Sequence, residues 1–344
     1  MEKRMPWADA LRGVLILMIV YGHTASNGDM LKHYVYSFHV PMFFFLSGFL
    51  FSKGKGGFKA FCRKKFSTLM IPYYIFALFS IVVFTLLGSF ASDKLDVALK
   101  HEQLHKSLIG MLYASAANGY MKWNIPLWFL PCMFVSQLMA YFISDRVKAL
   151  LEIKRLYMLP IIASPLALSY LNYYVLRIRA LPFHLESAVF LMPFFLLGVC
   201  LRKLNWNARL KTPKDWLLCL SLLISGGAIA LLFNSRINYF LSSYGKITVF
   251  YASAFLSIVG VYMLFQLISN RFLEIAGQNT VPILVMHKFP VVFFQITLAP
   301  MFSKTNFAHT LAAVFIALLS ACLCLLFGKI LENHAPFTIG KSRK

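Results

Sequence analysis

Residues 9–24 read DALRGVLILMIVYGHT, with the apolar run Val14 to Tyr21 bounded by Asp9 and Arg12 on one side and His23 on the other. With its flanks the stretch approaches the roughly 20 residues a helix needs to cross a hydrocarbon core of about 30 Å. The basic tail ahead of it would suit a cleaved secretory leader. Asp9, Arg12 and His23 interrupt or flank the run, however, and no small-residue cleavage site follows cleanly, so a retained first span is expected. Apolar stretches of similar length recur along the whole chain. Of its 344 residues, 59% are hydrophobic and 13% charged, and the mean hydropathy is +0.70. An average soluble chain carries about a quarter charged residues, and a soluble domain could not keep this much apolar surface out of water. The fold class expected is all-α: a polytopic transmembrane helical bundle forming one integral membrane domain over residues 1–344.

About ten transmembrane helices are expected, near residues 10–27, 34–52, 66–91, 125–143, 156–176, 182–201, 216–233, 247–268, 280–300 and 308–331. The loops between them alternate in charge. Segments 1–9, 53–65, 144–155, 202–215, 269–279 and 332–344 carry 21 of the 34 Lys and Arg residues, whereas the opposite loops carry 10. That excess predicts both termini in the cytoplasm. The same rule accounts for most of the net charge of +22 without a nucleic-acid partner, leaving membrane lipids or an anionic cosubstrate for the remainder. Leu108 to Ala117, inside the longest loop, reads as a short re-entrant or interfacial helix. The six cysteines show no metal-ligand spacing and are expected to be reduced, packed thiols, with Cys322 and Cys324 on different sides of one helix. Pro41, Pro72 and Pro126 are expected near span ends, where a missing backbone donor costs little. No internal repeat is visible, which weighs against inverted-repeat transporter folds.

The informative residues are the polar ones a bilayer should have excluded, since an ionisable group inside a span costs about 2.5–3.5 kcal/mol on insertion scales. Arg12 and His23 are 11 residues apart, which is three helical turns plus about 20°, so both project from one face. They lie about 16 Å apart along the axis. Asp9, one turn before Arg12, can pair with it. A purely structural account has Arg12 reaching the inner interface and His23 capping a helix end. His39, in the second span, lies near the same entrance as His23, so two imidazoles could meet across the hairpin. Ser47 and Gly48 form a small pair that would let another helix approach closely, or serve packing alone. Arg63, Lys64 and Lys65 form a basic cluster at the cytoplasmic face that the charge rule could explain by itself. Arg177, Arg179, His184 and Glu186 gather where the sixth span begins, and could grip a sugar or pair with one another. Trp128 could stack on a sugar ring or anchor the chain at the interface.

Asp9-Ala10-Leu11-Arg12-Gly13 followed by His23 resembles the Arg-x10-His signature of the bacterial acyltransferase-3 family. The stretch Phe38 to Phe49 is similar to that family's second signature, especially in its fucose 4-O-acetylase-like branch. Looser similarities follow at Arg63-Lys64-Lys65 with Ile71-Pro72-Tyr73, at Leu127 to Leu130, at Pro193 to Gly198, and at Asn279 through His287. Where family members commonly carry a Ser-Tyr-rich stretch before the late histidine, this chain reads Thr280 to Met286, so the role of His287 departs from the pattern.

The resemblance implies a multi-pass enzyme of the bacterial cytoplasmic (inner) membrane with no tightly bound cofactor. It would transfer an acyl group, usually acetyl, from acyl-CoA as cosubstrate to a carbohydrate hydroxyl. On this reading His23 is the catalytic base and Arg12 holds a CoA phosphate or polarises the thioester. Arg63, Lys64 and Lys65 join Arg12 in donor binding. His39, Trp128, Arg179, His184 and Glu186 face the acceptor, and Asp9, Ser47 and His287 support the site. A transporter or flippase for an anionic metabolite or lipid-linked saccharide is the competing expectation. An inactive membrane scaffold would leave the intramembrane charges unexplained.

Overall fold

The structure is a computed structural model that describes residues 5–90, 104–115, 121–206, 210–268, 270–298 and 306–342. Among these residues the regular structure is helical; the one β feature is an isolated antiparallel bridge pairing Asn238 with Ser243. The N-terminal hairpin consists of α1 (Pro6–Thr24) and α2 (Met30–Phe49). An amphipathic α3 (Gly57–Lys65) runs through a π-helical turn, Phe66–Met70, into α4 (Ile71–Phe90). A short α5 (Leu104–Tyr113) stands in the long loop; it begins before the expected Leu108, and the expected end at Ala117 lies outside the described residues. Then come α6 (Phe129–Ile153), α7 (Met158–Leu171), α8 (Leu185–Lys203), α9 (Pro213–Phe233) and α10 (Ile247–Phe265). The chain ends with α11 (Arg271–Gln278), α12 (Thr280–Met286), α13 (Lys288–Thr297) and α14 (Asn306–His334).

Seven of the described helical segments are long and apolar enough to cross a membrane, or eight if α12 and α13 count as one broken span. Helices α1 and α2, of 19 and 20 residues, fall outside that set. Their charged and imidazole side chains dilute their apolar character. Yet these two helices are central: α1 buries Leu11, Leu15 and Ile16 completely, and α2 buries Met42, Phe44 and Phe45.

Close packing explains two glycines of the motifs. A methyl group on Gly48 of α2 would overlap the carbonyl of Phe195, and one on Gly198 of α8 would overlap the carbonyl of Phe45. The two backbones therefore touch, as small residues permit in membrane helices. Gly48→Leu is expected to cost about 1–3 kcal/mol or more through overpacking, read as a lowered unfolding midpoint in detergent; an unchanged midpoint would show that the crossing can yield.

Two expectations are corrected, the placement of Pro41 and the packing of Cys322. Pro41 lies well inside α2 rather than near its end, and so removes an intrahelical bond to the Ser37 carbonyl. The stretch expected as one span at 280–300 is divided into α12 and α13, which meet at His287 with a bend of 51°. Pro290, third in α13, has no N–H to give to the carbonyl of Met286, which weakens the ladder at that bend. All six cysteines are free; Cys324 is buried but Cys322 is exposed, so the expectation of packed thiols fails at that position.

Candidate active site

The α1–α2 loop is held by a carboxylate. Asp29 caps α2 by accepting the backbone N–H of Lys32 at 2.8 Å, and also accepts hydroxyls from Tyr21 at 2.7 Å and Thr310 of α14 at 2.6 Å. Burial pushes the Asp29 carboxyl up, but these hydrogen bonds outweigh it and hold the group below its usual range. Gln295 of α13 donates to the carbonyl of His23 at 3.1 Å, tying the end of α1 to the broken helix. His23 is thereby held at the end of a helix braced by α13 and α14.

Beside His23 lies a cavity of about 330 Å³, here the histidine chamber. His23, His39 and Trp128 all line it, together with Tyr36, Lys32 and Arg236. The segment 234–246 folds over it, with Tyr239 stacked on Trp128 at 6.1 Å between centroids and donating its hydroxyl to the Tyr36 carbonyl at 2.8 Å. The ring in contact with His23 belongs to His287, at 5.3 Å between centroids, although His39 shares the chamber. His287 is fully buried at the α12–α13 bend. Its Nδ1 lies 3.0 Å from the Ile283 carbonyl, and the Nδ1 of His39 lies 2.7 Å from the Val35 carbonyl. A carbonyl only accepts, so in each ring Nδ1 donates, and Nε2 of the neutral ring keeps its lone pair. The Nε2 of His287 has no hydrogen-bond partner among the described residues.

A second cavity of about 320 Å³, the arginine chamber, lies at the other end of α1. Arg12, Ser47, Lys65 and Lys341 line it, and Gln137 of α6 donates to Ser47 Oγ. Arg12 Nη1 stands 3.5 Å from Asp9, the pairing expected one turn apart. Lys65 and Thr68 reach this chamber from the π-helical turn and its edge, a distortion that often marks functional sites. Arg63 and Lys64 do not join them; both are exposed and line neither chamber. A helix presents only part of any basic run to one side, and Lys65 is the member turned inward.

The two chambers share one lining residue, Phe129, at the start of α6. Its ring packs against Phe43 at 5.4 Å and Phe44 at 5.9 Å. Helix α12 passes along both, giving Leu284 to the histidine chamber and Val281 and Pro282 to the arginine chamber.

The cluster expected at the start of the sixth span divides. His184 is buried against Trp128 at 5.3 Å, behind the chamber wall, with Nδ1 3.6 Å from Glu186 Oε1. Phe183 and His184 both adopt left-handed backbone, with φ of 57° and 52°. That conformation costs about 1–3 kcal/mol for each non-glycine residue and places the imidazole under Trp128. Arg179 and Glu186 line a separate cavity of only about 20 Å³, apart from the histidine chamber. Glu186 accepts the Leu181 N–H and the Ser242 hydroxyl, so the structure brings it to local loop contacts and not to the chamber. Lys32, Tyr36, Arg236 and Gln137 were not singled out in the sequence. Gln137 alone carried a signal there, as an amide inside an apolar span.

A profile of the acyltransferase-3 family, described as an acyltransferase domain, matches residues 5–327. The chain belongs to that family, and its class is that of a membrane acyltransferase. Neither a curated protein nor a solved structure matches it.

Proposed function

We propose that this protein is an O-acyltransferase that moves an acyl group, in the first instance acetyl, from acyl-CoA to a hydroxyl of an envelope carbohydrate or lipid-linked saccharide. The observation that carries the reading is the pair of chambers at opposite ends of α1, one basic and one lined by imidazoles, with Phe129 as their common wall. CoA is an anion with a long, narrow pantetheine arm. Arg12 and Lys65 suit its phosphates, since a guanidinium fork matches oxyanions. The arm would pass Phe129 to bring its thioester to the histidine chamber. There the acceptor oxygen attacks the thioester carbonyl as His23 takes the hydroxyl proton. The C–S bond breaks, the thiolate leaves and recovers the proton, and the products are an ester and the CoA thiol. The similarity of Phe38 to Phe49 to the fucose 4-O-acetylase-like branch supports a sugar hydroxyl as acceptor. The transport reading gains no support from the family match, and acyl transfer uses both chambers.

The reading includes ten spans, with α1, α2 and the broken pair α12–α13 joining the seven others, both termini in the cytoplasm and the membrane that of a bacterial cell. Proteoliposomes test the activity: acetyl-CoA on the Lys59 side and saccharide on the other should yield free CoA and acylated saccharide together. Failure to cleave the thioester with acceptors present on both sides would refute the reading. Sidedness has its own test. In a background without the native cysteines, an impermeant thiol reagent should label Asn27→Cys and Leu241→Cys from outside, and Lys59→Cys and Ala149→Cys only after permeabilisation; these four positions are exposed. The reverse pattern would invert the topology.

A further inference from the structure

The charge on the wall of the histidine chamber is not used by the reaction just described. Lys32 and Arg236 both line the chamber, and among the described residues no Asp or Glu does. The two cations converge on one residue: Lys32 Nζ donates to Asn27 Oδ1 at 3.4 Å, and Arg236 Nη1 donates to the Asn27 carbonyl at 3.0 Å. Lys32 is buried, with Nζ also donating to the Ala25 carbonyl at 2.8 Å and lying 5.7 Å from the centre of the Tyr36 ring. Neither forms an ion pair among the described residues: their hydrogen bonds go to neutral oxygens and Lys32 also faces the Tyr36 ring, while Asp29 attracts Lys32 without direct contact. Asp29, the nearby carboxylate, has its oxygens directed to Tyr21, Thr310 and the Lys32 backbone instead.

Two like charges turned into one cavity repel each other; Asp29, three residues before Lys32, offsets part of that repulsion, and an entering anion would relieve the rest. On the proposed topology both stand on the side where the topology rule depletes Lys and Arg, so that rule does not account for them. Neutral sugar hydroxyls could be held by Asn, Tyr and Trp side chains without either cation.

Resting on the acyl-transfer reading of this site, we infer that the acceptor is an acidic saccharide, whose carboxylate or phosphate is bound between Lys32 and Arg236 while its reacting hydroxyl faces His23. The anion would take up the free donors of the guanidinium and ammonium groups. The aromatic surface of Trp128 and Tyr239 offers a stacking face for the ring that carries it. Arg236 is the more accessible of the two, on the segment that closes the chamber, and so is the residue to change.

The test is direct binding to the purified full chain in nanodiscs, with no acyl donor present. The probes are trigalacturonate, its fully methyl-esterified form, and galactose 1-phosphate against galactose. Trp128 in the chamber wall makes tryptophan fluorescence one readout, and calorimetry is a second. The wild type is expected to bind the free acid or the phosphate at least about tenfold more tightly than its neutral counterpart, a preference that falls as salt is raised. The trigalacturonate arm reports a carboxylate acceptor and the sugar-phosphate arm a phosphate one; a preference in either supports the inference. In Arg236→Gln the preference should shrink to within about threefold, and Arg236→Lys should restore part of it. Retained acetyl-CoA affinity shows that the variants are folded. Equal binding of charged and neutral probes, binding of neither, or a preference indifferent to Arg236 overturns the inference. Because no turnover is involved, the result is separable from the acyl-transfer reading: loss of thioester cleavage in His23→Ala concerns that reading alone.

Discussion

His23→Ala is expected to lower acyl transfer about 10²–10⁴-fold, the contribution typical of a positioned general base, while the protein still inserts and binds acetyl-CoA. The expectation rests on position. His23 lines the chamber, its carbonyl is fixed by Gln295, and its ring meets that of His287. A sugar hydroxyl is a poor nucleophile at neutral pH, so its attack on a thioester depends on a base within reach. The assay is CoA release with parallel detection of the acylated saccharide. Two further variants make it discriminating. His39 also faces the chamber and keeps a lone pair on Nε2, so His39→Ala reports whether the base sits across the hairpin. His287 is buried behind His23, and His287→Gln is expected to reduce turnover less than His23→Ala if it orients that ring. Wild-type turnover in His23→Ala, with activity lost in His39→Ala, would move the base to α2.

Arg12→Ala is expected to weaken acetyl-CoA binding by about tenfold to a hundredfold, the range for losing a charge-assisted contact to phosphate or a thioester oxygen. Arg12 lines the chamber that also receives Lys65, and its guanidinium is partly solvent-accessible while Asp9 beneath it is buried. The Ala variant also withdraws a cation from beside a buried carboxylate, so Arg12→Lys is the cleaner probe. It preserves charge near Asp9 but not the planar fork, and should still bind donor less tightly than the wild type. Direct titration with acetyl-CoA in nanodiscs measures both. Unchanged donor affinity in both variants, with acceptor binding lost instead, would assign Arg12 to the other substrate.

Much of the architecture follows from composition and spacing. Apolar runs this long must form helices in a bilayer, because lipid offers no hydrogen bonds to an open chain and the strands of a closed barrel would alternate apolar with polar residues. The 11-residue interval between Arg12 and His23 then commits them to one face of α1, about 16 Å apart. One face does not make one site, though. The structure places these two residues in different chambers, with Phe129, from a helix more than a hundred positions later, as the wall between them.

What the sequence by itself determined is therefore local: helical class, the one-sided stripe on α1, the Asp9–Arg12 pair, the presence of imidazoles in apolar helices, and the resemblance to the family whose profile matches residues 5–327. Only the tertiary structure decided the partners. It brought His287 rather than His39 into ring contact with His23, through a bend whose position depends on Pro290 and on the packing of α12. It turned Lys65 inward and left Arg63 and Lys64 outside, and it moved Arg179 and Glu186 into a loop cluster away from the chamber. It also drew Lys32 and Arg236 together on Asn27, two charges that the sequence presents only as members of separate short loops. The physical reason is the same in each case. Periodicity sets where a side chain points around its own helix, whereas the group it meets is set by crossings between distant helices, such as the glycine contacts of α2 with α8, that no local pattern encodes.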